Sequence, residues 1–160
     1  MTRVLFICHG NICRSPAAEL IFRRMLTEKG VSHRFTVASA ATSDEEIWNG
    51  RGNPVYPPMA KELRAHGFSP DGKRAVQLSR DDLTKYDLFI GMDDANLRNM
   101  RRILGEEAEG KVFKLMDFTP RGGNVSDPWY TRAFDVAYAD IYEGCGALLT
   151  HLLMEEKDSE

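Results

Sequence analysis

An apolar strand that runs straight into a cysteine-led loop and then a helix start constrains this chain more than any other feature. The segment is Val4-Leu5-Phe6-Ile7-Cys8-His9-Gly10-Asn11-Ile12-Cys13-Arg14-Ser15-Pro16. The run from Val4 to Cys8 reads as a buried strand, the kind found in parallel sheets covered by helices. Gly10 and Asn11 tolerate positive φ, so the loop after the strand can curl. It then aims the backbone N–H groups of His9, Gly10, Asn11, Ile12 and Cys13 inward as a nest for an anion. Ser15 suits an N-cap and Pro16 the first helical position, so the loop is expected to feed a helix whose positive end also points at the nest.

The charges then suggest a chemistry. Arg14 offers a planar fork that holds two phosphate oxygens and keeps its proton, so it suits both binding and transition-state stabilisation. The same positive field favours the thiolate of Cys8. Full ionisation gains only about 30-fold over an ordinary cysteine, roughly 2 kcal/mol, which is small beside the barrier to phosphate-monoester hydrolysis. Alignment and oxyanion stabilisation by the nest and Arg14 must supply most of the rest.

A thiolate nucleophile leaves a phosphocysteine, and expelling the leaving oxygen requires an acid elsewhere in the chain. Asp127 is the best candidate, in Gly122-Gly123-Asn124-Val125-Ser126-Asp127-Pro128-Trp129-Tyr130. A flexible stretch there ends in a rigid Asp-Pro, and the two aromatics that follow can desolvate the carboxyl group and wall a pocket. The same Asp-Pro also reads as a plain turn before the last helix. Asp44, Asp93, Asp94 and Asp117 are rivals for the acid role.

The octapeptide Cys8 to Ser15, followed near the far end by Asp127-Pro128-Trp129-Tyr130, resembles the low-molecular-weight protein tyrosine phosphatases. Ser39-Ala40-Ala41, His66-Gly67 and Gly91-Met92-Asp93-Asp94-Ala95-Asn96 extend the resemblance over nearly the whole chain. It implies Cys8 as nucleophile, Arg14 as phosphate binder and Asp127 as general acid. It also implies that Ser15 donates to the Cys8 thiolate, and that Asn11, Ser39 and His66 brace the loop by hydrogen bonds. The substrates implied are phosphotyrosyl proteins or peptides. No cofactor or metal is implied, because nucleophile, anion site and acid are all side-chain or backbone groups.

Ile12, Trp48, Trp129 and Tyr130 are candidates for apolar pocket walls that favour a phenyl ring over the shorter phosphoserine. The segment from Thr42 to Arg51 that carries Trp48 is slightly longer than the common family pattern. Trp129 replaces the first member of the family's frequent tyrosine pair, leaving Tyr130 as the residue open to phosphorylation there. Protein arginine phosphatases typically carry threonine where this chain has Ile12, which favours tyrosine. Arsenate reductases of the same fold need further cysteines, and none occurs between Cys13 and Cys145.

Composition narrows the remaining classes. A chain of 160 residues with 42% hydrophobic content suits one domain, here set at 1–154 with a solvated acidic tail at 155–160. Its net charge of −3 gives no reason to expect nucleic-acid binding, and Arg98, Arg101 and Arg102 read as a solvated helix face. The N-terminal apolar run is too short for a signal segment or membrane span, so a cytoplasmic protein without a membrane partner is expected. A monomer is the working expectation.

Strands are expected over Arg3 to Ile7, Phe35 to Ser39, Leu88 to Met92 and Val112 to Leu115. Helices are expected over Pro16 to Lys29, Met59 to His66, Ser79 to Lys85 and Asp93 to Ile103. Phe134, Tyr138, Ile141, Cys145, Leu148 and Leu152 form one further helical stripe, which makes Cys145 core. This alternation predicts an open, four-stranded parallel α/β sheet, Rossmann-like, with the ligand beyond the strand carboxyl ends where Cys8 falls. Three cysteines make a disulfide scaffold improbable, and Cys8, Cys13 and His9 do not supply four zinc ligands. Cys13 reads either as a small apolar filler or as a partner that traps oxidised Cys8, and the family resemblance favours the second. Peroxide-inactivated protein is therefore expected to regain activity with thiol reductant, with poorer recovery in Cys13→Ser; equal recovery would remove Cys13 from that role.

Overall fold

The computed structural model describes residues 1–158. The apolar run becomes β1, Thr2–Cys8, and its alternating side chains serve two cores. Val4, Phe6 and Cys8 face one core, and Leu5 and Ile7 face the other. A strand at the centre of a sheet with helices on both sides needs this pattern, which explains the unbroken hydrophobicity of the sequence.

The loop after β1 leads into α1, Arg14–Glu28. This helix starts two residues before the predicted Pro16, with Cys13 at the N-cap position, so Ser15 is not its cap. Next come β2, Phe35–Ala41, and a two-stranded hairpin of β3, Ile47–Trp48, and β4, Arg51–Gly52. The hairpin was not anticipated, although its turn carries a strong signal. Asn49 and Gly50 both take positive φ, at 50° and 74°, as the tight Asn-Gly turn of antiparallel ribbons requires. The chain continues through α2, Pro57–Ala65; β5, Leu88–Gly91; α3, Asp94–Leu104; β6, Val112–Lys114; α4, Pro128–Thr131; and α5, Phe134–Asp158.

The predicted helix at Ser79 to Lys85 is instead a single 3-10 turn, Arg80–Thr84, capped reciprocally by Ser79 and Asp82. The reciprocal cap satisfies backbone groups that so short a piece leaves unpaired. The last helix runs on through Asp158, past Glu155 where the sequence suggested a solvated tail; Ser159 and Glu160 lie outside the described residues.

Strand order in the main sheet is β2-β1-β5-β6, and all pairs are parallel. Cys8 lies opposite Ala41 and Ile7 opposite Gly91, so β1, β2 and β5 end together at one edge. One face of the sheet carries α1, α2 and α5, and Phe22 of α1 meets Phe6 edge-on at 5.5 Å between centroids. The other face carries α3 through Met100 and Leu104 against Leu5, Ile7 and Phe89. Each fully buried side chain of this size contributes about 1.5–3 kcal/mol. Cys145 is fully buried in the first core, as its place on the helical stripe requires. Among the described residues no helix is long and apolar enough to cross a membrane.

The approach of α5 to the segment 115–118 depends on Gly144. A Cβ built there would stand 2.5 Å from Leu115 Cγ, and Leu115 is itself fully buried. Alanine would gain about 1 kcal/mol in helix propensity but would overpack this contact at a cost of about 1–3 kcal/mol. Gly144→Ala is expected to be destabilising on balance, read as a lower midpoint in urea unfolding.

Candidate active site

Cys8 ends β1 and is 4% exposed. The loop that follows is tied outward by its carbonyls. The Cys8 carbonyl accepts from Thr42 N–H at 3.0 Å, that of His9 from Ser43 N–H at 3.0 Å, and that of Ile12 from Tyr56 N–H at 2.7 Å. No peptide in the described chain is cis. In a trans peptide the C=O and the following N–H point in opposite directions, so the N–H groups of His9, Gly10 and Cys13 turn toward the cavity. Asn11 makes the necessary reversal at φ 57°.

The side chain of Asn11, 1% exposed, also sets the direction of a proton chain. Its Oδ1 accepts from Val76 N–H at 3.0 Å, which fixes the amide orientation. Its Nδ2 donates to Ser15 Oγ at 2.8 Å and to Ser39 Oγ at 2.9 Å. Ser39 in turn donates to Glu19 Oε1 at 2.7 Å, where a carboxylate can only accept. Ser15 Oγ already accepts from Asn11, so its own hydrogen is left for Cys8 Sγ at 3.0 Å. The Ser15 N–H adds a longer contact of 3.4 Å to the same sulfur. Two donors from the first turn of α1 therefore converge on Cys8.

Glu19 is buried and needs cations. Arg23 Nη1 pairs with it at 2.6 Å, and Lys73 Nζ lies 3.7 Å from Oε1 while donating to Ser39 O at 3.4 Å. Burial pulls the Lys73 pKa below its ordinary value, against the opposing pull of Glu19.

Arg14, 5% exposed, is held from the other side. Its Nη1 donates to Val125 O at 3.0 Å and its Nη2 to Asp93 Oδ2 at 2.7 Å, with Asp127 Oδ2 3.5 Å away. Burial opposes the guanidinium charge, but Cys8, Asp93 and Asp127 together outweigh it and hold the pKa above its ordinary value. Asp127 is the N-cap of α4, where its Oδ1 accepts from Trp129 N–H at 3.0 Å. Cys8, Arg14, Asp93 and Asp127 all face one cavity of about 400 Å³. Ile12, Cys13, Tyr56 and Trp129 line it as well, with His9, Glu45 and Tyr130 also on its wall. His9 Nε2 sits 3.0 Å from Glu45 Oε2. Burial, then the charge of Cys8, pushes the Cys13 thiol up, so it stays protonated beside the cavity.

Two expected site residues lie elsewhere. Trp48 is 78% exposed on the hairpin and does not line the cavity; Tyr56, tethered to Ile12, supplies an aromatic wall instead. His66 does not brace the loop. Its ring stacks on Tyr138 at 3.9 Å and lies 3.3 Å from Glu62 Oε1, whereas Lys73 donates to Ser39 O and lies beside Glu19. Among the rival acids, Asp93 binds Arg14, Asp94 pairs with Lys114, and Asp117 caps the turn at 115–118. Asp44 is absent from the cavity wall.

Sequence reasoning missed Glu19, Lys73 and Tyr56. Glu19 carried a signal, because it follows Ser15 by four residues on the apolar side of a helix, where an unpaired carboxylate is costly. Asp93 also announced its structural role: it is followed three residues later by Asn96, whose N–H it caps at 2.8 Å.

Comparison with known proteins places the chain in a family. The family model described as low molecular weight phosphotyrosine protein phosphatase matches residues 3–158. The chain is 36% identical over 159 residues to the Bacillus subtilis low molecular weight protein-tyrosine-phosphatase YfkJ, covering 98% of this chain and 99% of that one. It is 34% identical over 145 residues to the human low molecular weight phosphotyrosine protein phosphatase, covering 89% and 87%. The crystal structure of YfkJ superposes with a TM-score of 0.90 over 97% of this chain and 96% of that chain. A Streptococcus pyogenes low molecular weight protein tyrosine phosphatase, 32% identical, superposes at 0.83 over 95% and 93%. The chain belongs to the low molecular weight phosphotyrosine protein phosphatase family.

Proposed function

We propose that this chain hydrolyses phosphotyrosine in proteins or peptides through a phosphocysteine on Cys8. The observation that carries this reading is the approach of Cys8 and Asp127 to one buried guanidinium, Arg14, in a cavity with aromatic walls. The phosphoryl dianion takes the loop N–H groups and the free edge of Arg14, and its phosphorus meets the Cys8 sulfur. The S–P bond forms as the P–O bond to the phenol breaks, and Asp127 gives its proton to the departing oxygen. Ser15 stabilises the thiolate before attack and the leaving thiolate afterwards. Asp127, now ionised, takes a proton from the water that attacks phosphocysteine, which releases inorganic phosphate and restores both groups.

Ile12, Tyr56 and Trp129 suit the flat ring of tyrosine. Phosphoseryl substrates are too short to use those walls. Cys13, kept as a neutral thiol, does not compete as nucleophile and remains available to trap Cys8 once that sulfur is oxidised.

The decisive assay is phosphate release from matched phosphotyrosyl, phosphoseryl and phosphoarginyl peptides. Phosphotyrosine is expected to lead, with turnover abolished in Cys8→Ser and unchanged by chelator. Preference for phosphoarginine would overturn the substrate class, and loss in chelator would overturn the mechanism. Asp127→Ala should lower kcat/KM on poor leaving groups by about 10²-fold or more, and wild-type activity there would reject the acid assignment. Asn11→Ala removes both donors that orient Ser15 and Ser39. It is expected to lower kcat/KM about tenfold and stability by about 1–3 kcal/mol, measured by kinetics and urea unfolding together.

A further inference from the structure

The segment that carries Asp127 has little regular structure of its own. It leaves the turn at 115–118, passes Gly122 and Gly123 at φ 60° and 87°, and enters α4 at Pro128. Proton transfer demands a donor within hydrogen-bond reach of the leaving oxygen, and a 1 Å misplacement costs about 10²-fold. Something must therefore hold this segment still.

One carboxylate on α5 grips it on both sides of the glycine pair. Asp140 Oδ1 accepts from Arg121 Nη2 at 2.8 Å, and Asp140 Oδ2 accepts from Ser126 N–H at 2.9 Å. Arg121 also donates through Nε to Glu143 Oε1 at 3.0 Å, one helical turn further along. The Asp140 side chain is only 17% exposed, so these charge-assisted bonds are partly shielded from water. Ser126 directly precedes the acid. The neighbouring ties act on residues 124 and 125, through Lys114 Nζ and Asp94 to the Asn124 side chain, Val125 N–H to Met92 O and Arg14 to Val125 O, and leave the backbone N–H of residue 126 to Asp140.

We propose that Asp140 is a positioning residue for the acid step, clamping both ends of the Gly122–Gly123 segment to α5 so that Asp127 meets the leaving oxygen. The inference rests on the assignment of Asp127 as general acid. Asp140 does not line the cavity, so its loss leaves the nucleophile and anion nest intact and weakens only the two proton transfers assigned to Asp127.

The test compares kcat/KM, which reports the steps through phosphocysteine formation, on phenyl phosphate and dinitrophenyl phosphate. The first has a poor leaving group that needs the acid, and the second leaves without it. Asp140→Ala is expected to lose about tenfold or more on phenyl phosphate and less than about twofold on dinitrophenyl phosphate. Asp140→Asn has a single acceptor oxygen, which keeps the bond to Ser126 N–H and gives up Arg121, so it should recover part of that loss. Arg121→Met removes only the other half of the clamp and should give a smaller loss of the same selectivity, which keeps the proposal open to refutation if Asp140→Ala fails to fold. Equal losses on both substrates, or wild-type behaviour in Asp140→Ala or in Arg121→Met, would overturn the clamp. Asp127→Ala in the same series separates the two ideas: a selective loss there beside an unselective Asp140→Ala rejects the clamp alone, whereas an unselective Asp127→Ala rejects the acid assignment and the clamp with it.

Discussion

A guanidinium buried to 5% exposure is the constraint around which this molecule is arranged. An unpaired charge in that position would cost several kcal/mol, so Arg14 must be met by carboxylates and carbonyls from elsewhere in the chain. It is met by Asp93 at the start of α3, by Val125 O, and by Asp127 at the start of α4. The demands of one buried cation thus draw two distant segments, at Asp93 and at 125–127, to the start of α1. The same partners leave its charge available to an incoming dianion, because an arginine has more donors than these contacts consume.

The opposite wall of the site rests on a second, independent arrangement. Asn11, Ser39 and Glu19 form a chain of hydrogen bonds in which the terminal carboxylate can only accept, and this fixes the direction of every proton back to Ser15. Arg23 and Lys73 offset the charge of Glu19. The site is therefore framed by two buried ions of opposite sign, Arg14 on one side and Glu19 on the other, with the Cys8 sulfur between their networks. Parallel strand register supplies the remaining precision, since β1, β2 and β5 end side by side.

Much of this was legible in the sequence because local physics dominated it. The run Val4 to Cys8 had only one plausible environment, and the positive φ of Asn11 followed from its residue type and its place beside Gly10. Cys145 fell in the core because the helical stripe demanded it. The errors came where tertiary partners decide. His66 and Lys73 are both basic residues in the same region, and only the fold shows that the lysine reaches Glu19 while the histidine stacks on Tyr138. Trp48 had the composition of a pocket wall, but the Asn49-Gly50 turn folds its strand into a separate ribbon, and Tyr56 gains its place through a backbone bond to Ile12. Ser15 failed as a cap because its hydroxyl is used by Asn11 and Cys8.

The small ribbon of β3 and β4 pairs with itself and adds no strand to the main sheet. It is anchored at its root, where Asn53 N–H meets Glu46 O at 2.8 Å and Ala75 N–H meets Asn53 O at 2.9 Å, while Glu45 and Glu46 just before it line the cavity. Its tip, the exposed Trp48 with the Asn49-Gly50 turn, stands in solvent, whereas Gly52 at its base is buried against Ala75, beside the residues that hold Asn11 and Glu19. Changes at the tip are met by solvent, whereas any side chain at Gly52 would collide with the Ala75 backbone, so room for variation in this ribbon is confined to its outer end.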